Sequence, residues 1–217
     1  MNNIVSPSIL SCDFLNIEQE IASLNGIENL WIHLDIMDGH FVPNLTFGIP
    51  IVKQICNKFE IPMDAHLMVS NPEFHMKEMK GFGLENVTFH HEATTDSLAL
   101  INKFAGDYKS IGISIKPNTS ADSLSDEVLK AVGLVLVMSV EPGFGGQSFM
   151  ENSLEKLAKL KTRREQLKAS FQIQIDGGIS DKNAKTVREA GADNLVAGSF
   201  VFKASPDQYK SKIEALR

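Results

Sequence analysis

Short apolar runs rich in β-branched residues recur along the 217-residue chain, and eight of them read as strands: Ile4 to Leu10, Leu30 to Ile36, Ile61 to Met68, Asn86 to His90, Ser110 to Ile115, Leu134 to Val140, Phe171 to Ile175 and Asn194 to Ala197. Between them the period changes to that of amphipathic helices. Asp13 caps a run that opens at Phe14-Leu15-Asn16-Ile17-Glu18, and Asn71 caps another that opens on Pro72. Ser148 to Lys168 places Leu154, Leu157, Leu160 and Leu167 mainly on one helical face. Ser180-Asp181-Lys182-Asn183 caps a helix from Ala184 to Ala190 that closes at Gly191, and Ser205-Pro206-Asp207 starts the last one. Strands alternating with helices indicate a parallel sheet. A closed barrel and an open doubly wound sheet both meet that description. Eight strands, and polar residues gathered at strand C-termini, favour a single (β/α)8 barrel of the TIM type. No linker or low-complexity tract divides the chain, so residues 1–217 read as one domain.

Composition narrows the function without naming it. A formal net charge of -6 argues against a nucleic-acid partner, which calls for a basic face. No apolar run reaches the length of a membrane span. The opening Met1-Asn2-Asn3-Ile4-Val5-Ser6-Pro7 lacks the basic region and apolar core of a secretory leader. Cys12 and Cys56 stand alone, without metal or redox spacing, and the expected setting is a reduced cytoplasm. A reactive thiol at Cys12 is a minor reading.

The candidate chemistry lies at the downstream ends of three strands. His33 and Asp35 alternate onto one face of the second strand, His66 ends the third, and Asp176 ends the seventh. Two imidazoles and two carboxylates suit a divalent ion of the zinc, manganese, iron(II) or cobalt type. Two carboxylates in one site also suit a base and an acid.

Glycine-rich turns follow the last three strands: Gly143-Phe144-Gly145-Gly146, Gly177-Gly178 and Gly198-Ser199. Backbone N–H groups in such turns can approach an anion closely, and barrels often seat a phosphate after strands seven and eight. Three such turns in succession point to a phosphate cradle.

Six segments carry a resemblance: Ser6-Pro7-Ser8-Ile9-Leu10-Ser11, His33-Leu34-Asp35-Ile36-Met37-Asp38-Gly39-His40-Phe41-Val42-Pro43-Asn44, Asp64-Ala65-His66-Leu67-Met68-Val69, Met138-Ser139-Val140-Glu141-Pro142-Gly143-Phe144-Gly145-Gly146-Gln147, Asp176-Gly177-Gly178-Ile179 and Val196-Ala197-Gly198-Ser199. Together, and in this order, they resemble the ribulose-phosphate 3-epimerase family over essentially the whole chain. The resemblance implies a (β/α)8 barrel interconverting D-ribulose 5-phosphate and D-xylulose 5-phosphate, the chemistry of the pentose phosphate pathway. It implies one divalent metal on His33, Asp35, His66 and Asp176. It implies two-base proton transfer at C3 through a metal-stabilised enediolate, with Asp35 removing the proton of ribulose 5-phosphate and Asp176 delivering one. It implies substrate contacts from Ser8 and His66 and an apolar ring from Met37, Met68 and Met138. Read without the resemblance, those methionines are core filler and Ser8 is a turn former. A homo-oligomer is the expected assembly.

Other residues have ordinary readings. His40, His75, His90 and His91 fall outside the ligand set; His90 and Glu92 serve either a second shell or a structural hydrogen bond. Asp38 braces a ligand or caps a turn, and Asp64 reads as structural. A Schiff base on Lys116 would leave the paired carboxylates without a role. Among competing functions, a 3-epimerase of a six-carbon ketose phosphate such as allulose 6-phosphate needs the same chemistry in a longer pocket. A metal-independent decarboxylase would carry Asp-x-Lys-x-x-Asp, and His33 to Asp38 contains no lysine. A non-catalytic barrel would be expected to lack one of the four candidate ligands.

Overall fold

A computed structural model describes residues 3–217. Met1 and Asn2, the first residues of the stretch read for a leader, lie outside the described residues. The strands are β1 (Ile4–Pro7), β2 (Ile32–Met37), β3 (Met63–Met68), β4 (Asn86–His90), β5 (Ile111–Ile115), β6 (Leu134–Met138), β7 (Gln172–Asp176) and β8 (Asn194–Ala197). Parallel ladders join β2 to β3 and so on through β8 to β1. The remaining seam, between β1 and β2, has no full ladder. It is closed by the bridges Val5–Leu30 and Ser8–His33, with Trp31 N–H donating to the Val5 carbonyl at 3.1 Å. The sheet is therefore a barrel.

Helices α1 (Ile17–Ala22), α2 (Ile49–Lys58), α3 (Pro72–Glu78), α4 (Ser97–Phe104), α5 (Asp126–Ala131), α6 (Ser153–Leu167), α7 (Ala184–Ala190), α8 (Ser199–Phe202) and α9 (Tyr209–Glu214) cover the outside. Four of them, α2, α4, α5 and α8, are not picked out by the sequence pattern: α2 opens at Gly48 without a side-chain cap, α4 and α5 carry caps at Asp96 and Ser125 that were not recognised, and α8 begins in what was read as the turn Gly198-Ser199. The first strand is shorter than its apolar run: Ser8 accepts from Leu10 N–H and starts a 3-10 turn at Ile9–Ser11. The sixth ends at Met138 rather than Val140. The long helix begins at Ser153, five residues after the Ser148 start read from the sequence, because 148–152 is loop. Asp13 caps a 3-10 turn, Phe14–Asn16, that precedes α1.

Every strand alternates between two interiors. On β2, Ile32, Leu34 and Ile36 join the apolar core shared with the helices, while His33, Asp35 and Met37 face into the barrel. The same alternation turns Asp64, His66 and Met68 of β3 inward, and Gln174 and Asp176 of β7. Register then sets depth. Asp35 pairs with His66, and His33 with Asp64, so the imidazoles arrive at staggered heights while Met37 and Met68 pair above them. Inward bulk elsewhere is limited by Gly112, where a Cβ would run into the Thr88 hydroxyl.

Candidate metal centre and substrate cavity

His33, Asp35, His66 and Asp176 each offer one ligand atom, and the four atoms lie within 4.8 Å of one another. His66 Nδ1 is 3.1 Å from Asp35 Oδ1 and 3.9 Å from Asp176 Oδ2. His33 Nε2 is 3.4 Å from Asp35 Oδ1 and 3.9 Å from Asp176 Oδ2. Three of the residues are buried; Asp176, with its side chain 18% exposed, faces the opening.

The electrostatics of this cluster favour positive charge. Burial opposes charging His33, but Asp64 and Asp35 outweigh it and raise its pKa well above the ordinary imidazole value. Burial likewise opposes ionising Asp35, yet His33 and the bonds from His33 and His66 hold it well below the carboxylate range. Burial, and then the Asp35 charge, push Asp176 up. Burial pushes His66 below the ordinary imidazole value. His33 and Asp176 thus tend to hold a proton that a cation can replace, beside an ionised Asp35. Two carboxylates and two imidazoles of this kind are a donor set that accepts a divalent ion, so the residues present fit one.

Hydrogen bonds also fix the surroundings of the four candidate ligands. Ser8 Oγ donates to Asp35 Oδ2 at 2.5 Å. His33 Nδ1 lies 2.9 Å from Asp64 Oδ2, which also accepts from Gln174 Nε2 at 2.9 Å. Asp64, read from sequence as structural, thus belongs to the site: it orients a candidate ligand from below. Alternation had placed it on the correct face; only the register showed that it meets His33. His66 Nε2 lies 2.9 Å from His90 Nε2, and His90 Nδ1 lies 3.2 Å from Glu92 Oε2. Burial pushes His90 down to about 4. Burial opposes ionisation of Glu92, but bonds from His90, Thr119 and the Lys116 amide hold it at about 2.

Asp38 caps a turn, accepting from the His40 and Phe41 amides at 2.9 Å and from Ser70 N–H at 2.7 Å, and so ties the loop after β2 to that after β3. The Lys116 ammonium sits 4.0 Å over the Phe41 ring, away from the cavity.

A cavity opens above the cluster. Asp35, Asp176, Ser8, Met37, Met68 and Met138 line its floor and sides together with Gly143, Phe144, Gly145, Gly146, Gly177, Gly178, Gly198 and Ser199. All the residues read from sequence as substrate contacts are on this wall except His66, which is fully buried and stands with the candidate metal ligands. Gly178 shows why the turns need glycine: its φ is +63°, and a Cβ would lie 2.5 Å from Phe149 N. Sequence reading missed two braces. Asn44 Nδ2 donates to the Gly143 carbonyl at 2.8 Å, and Gln147 Nε2 donates to the Glu141 and Phe144 carbonyls at 2.7 and 2.8 Å. Ser139 was missed as well; its hydroxyl bonds the Asp176 and Gly177 carbonyls at 2.9 and 2.8 Å.

Fold and site together define a TIM barrel with a candidate divalent-metal centre at the C-terminal mouth of its strands, where barrel enzymes assemble their sites. The family model described as "Ribulose-phosphate 3 epimerase family" matches residues 4–202, and the chain belongs to that family. The ribulose-phosphate 3-epimerase of Mycobacterium tuberculosis is 41% identical over 214 residues, covering 99% of this chain and 91% of the relative. That of Treponema pallidum is 41% identical over 201 residues, covering 93% and 92%. The cytoplasmic isoform of Oryza sativa subsp. japonica is 38% identical over 204 residues, covering 93% and 88%. The chain is accordingly an enzyme, an isomerase of the carbohydrate-epimerase class. Relatives so named do not favour the six-carbon alternative. Among solved structures, a tryptophan synthase α-subunit from Pyrococcus furiosus superposes with a TM-score of 0.71 at 16% identity, covering 99% of this chain and 98% of that one; this likeness concerns the fold alone.

Proposed function

We propose that the protein interconverts D-ribulose 5-phosphate and D-xylulose 5-phosphate by proton transfer at C3. The observation that carries the reading is the convergence of Asp35 and Asp176: their carboxylate oxygens meet within 4.8 Å at the floor of one cavity, from strands on different sides of the barrel mouth. Epimerisation requires removal of the C3 proton and its return on the opposite face. Asp35 accepts the proton of ribulose 5-phosphate, Asp176 supplies one, and the roles reverse in the other direction. His33, Asp35, His66 and Asp176 would hold one divalent ion, which supplies Lewis-acid stabilisation of the charge that develops on O2 and O3. Ser8 fixes the rotamer of Asp35, so the base stays aimed at the cavity. Met37, Met68 and Met138 keep the reacting carbons in an apolar, water-poor setting.

The phosphate belongs at the far side of the cavity, against the turns after β6, β7 and β8. These turns contain no lysine or arginine, so the anion is held by backbone N–H groups. Remote binding there positions C3 between the carboxylates.

The proposal extends to a cytoplasmic location, in line with the name of the rice relative, and to self-association, for which the exposed Phe14, Leu15 and Leu45 offer apolar surface. Among the described residues no helix is long and apolar enough to cross a membrane.

Metal stripping followed by reconstitution with single metals tests the reading. Ribulose 5-phosphate turnover should vanish on stripping and return with zinc, manganese, iron(II) or cobalt. Full turnover in thoroughly metal-free protein would refute it.

A further inference from the structure

Behind His66, away from the cavity, a string of polar groups runs from the buried His66 of β3 through the buried His90 of β4 to Glu92 and the loop after β5 at the surface. His66 Nε2 meets His90 Nε2 at 2.9 Å, and His90 Nδ1 meets Glu92 Oε2 at 3.2 Å. The other Glu92 oxygen accepts from the Lys116 amide at 2.8 Å and from the Thr119 hydroxyl. His66 and His90 are fully buried, so neither ring can exchange these partners for water.

The direction of every hydrogen bond in the string follows from its outer end. A carboxylate only accepts. Facing Glu92, His90 Nδ1 must carry a hydrogen and donate it. In a neutral ring the opposite nitrogen then has a lone pair, so His90 Nε2 accepts. Its one partner there is His66 Nε2, which must donate. The remaining nitrogen of His66, Nδ1, is left with its lone pair directed at Asp35 and Asp176. We propose that Glu92, acting through His90, is a positioning pair that fixes the tautomer and ring plane of His66 so that Nδ1 is presented as a ready metal ligand. On the other side of the cluster Asp64 does the same for His33 through one bond instead of two, selecting Nε2. A histidine inserted between ligand and carboxylate lengthens the familiar carboxylate–histidine–metal arrangement by one imidazole. The added ring reaches a carboxylate anchored in the loop after β4. It also lets the Phe41 ring, 4.8 Å from that of His90, cover the string.

The inference rests on the metal reading above, and its test separates the two. Zinc affinity is measured by competition with a chromophoric chelator for the wild type and for His90→Phe, His90→Gln and Glu92→Gln. The visible spectrum of the cobalt(II) form, and long-range proton–nitrogen NMR of His66 in the zinc form, are recorded alongside. His90→Phe removes the acceptor and should weaken zinc binding about 10- to 100-fold. His90→Gln should recover most of that loss, because an amide oxygen accepts from His66 while its nitrogen donates to Glu92. Glu92→Gln should weaken binding without touching a ligand: with its oxygen kept by Lys116 and Thr119, it turns an amide N–H₂ toward His90 and reverses the string. Wild-type NMR should show His66 protonated at Nε2 and bound through Nδ1. Zinc bound through Nε2, or unchanged affinity and cobalt spectrum in both His90→Phe and Glu92→Gln, overturns the inference and leaves the metal reading standing. Failure of the wild type to bind zinc or cobalt overturns both. If His90→Phe does not fold, Glu92→Gln and the wild-type tautomer decide alone.

Discussion

The hydroxyl of Ser8 donates to Asp35 Oδ2 across the seam where β1 and β2 close the barrel without a ladder. One carboxylate oxygen is thereby occupied, and the other, Oδ1, stays with the two imidazoles. Ser8, whose backbone bridges to His33 at the seam, thus also orients Asp35 through its side chain. Ser8→Ala should leave a buried carboxylate oxygen without its donor and cost about 1–3 kcal/mol. Urea unfolding of the metal-free protein measures this; an unshifted midpoint would show that the bond is not formed in solution.

Asp35→Asn and Asp176→Asn should each slow epimerisation on the order of 10²-fold or more, the scale of general acid–base groups. Turnover by the wild type in deuterated water should place deuterium at C3 of the product, since the delivered proton need not be the one removed. Quantitative retention of the original hydrogen would point to a single shuttling base instead.

Burial and the neighbouring Asp35 raise Asp176 above the ordinary carboxylate value, so in the metal-free protein it tends to keep a proton that a metal must displace. Metal affinity should therefore climb as pH rises toward that raised value, and binding should release protons. The sign for stability is the reverse. An acid whose folded pKa is raised contributes fully below its unfolded value, and that contribution is lost as pH rises through the folded one. Calorimetric titration with zinc in buffers of different ionisation enthalpy counts the protons; net uptake near neutral pH would contradict the assignment.

A Cβ at Gly198 would lie 2.5 Å from Ser11 Oγ and 3.7 Å from the Ser8 Cβ, at the far wall of the cavity. Gly198→Asp should crowd that wall and repel an anion. Activity on ribulose 5-phosphate should fall far more than activity on unphosphorylated ribulose. Equal losses, in a folded and metal-loaded variant, would mean that the phosphate is held elsewhere.

Burial, with Glu20 and Asp13 nearby, pushes the Cys12 thiol up to about 12, and burial alone pushes Cys56 to about 11. The minor reading of Cys12 as a reactive thiol is therefore not supported. At pH 8 iodoacetamide should label Cys12 on the order of 10²-fold or more slowly than an unhindered thiol, since only the thiolate reacts. Peptide mass spectrometry over time would follow it, and rapid labelling would show a more exposed, ionised sulfur.

Local pattern determined much of this protein. Short apolar, β-branched runs marked all eight strands, because a strand buried on both faces needs an apolar-rich stretch whatever its neighbours are. Alternation also put His33 with Asp35, and Asp64 with His66, since side-chain direction along a strand is a property of the backbone itself. Helix α2 offers no start signal because Gly48 has no side chain to cap it, whereas the caps of α4 and α5, Asp96 and Ser125, were legible and went unrecognised. What only the tertiary structure decided is which nitrogen meets which oxygen. Register between β2 and β3 set His33 over Asp64 and Asp35 beside His66, and closure of the barrel brought Asp176 from β7 within 4.8 Å of both imidazoles. Asn44 and His90 gained their roles in the same way, through contacts with Gly143 and His66 that are 99 and 24 residues away. Such pairings depend on strand offset and barrel stagger, which no stretch of sequence encodes by itself.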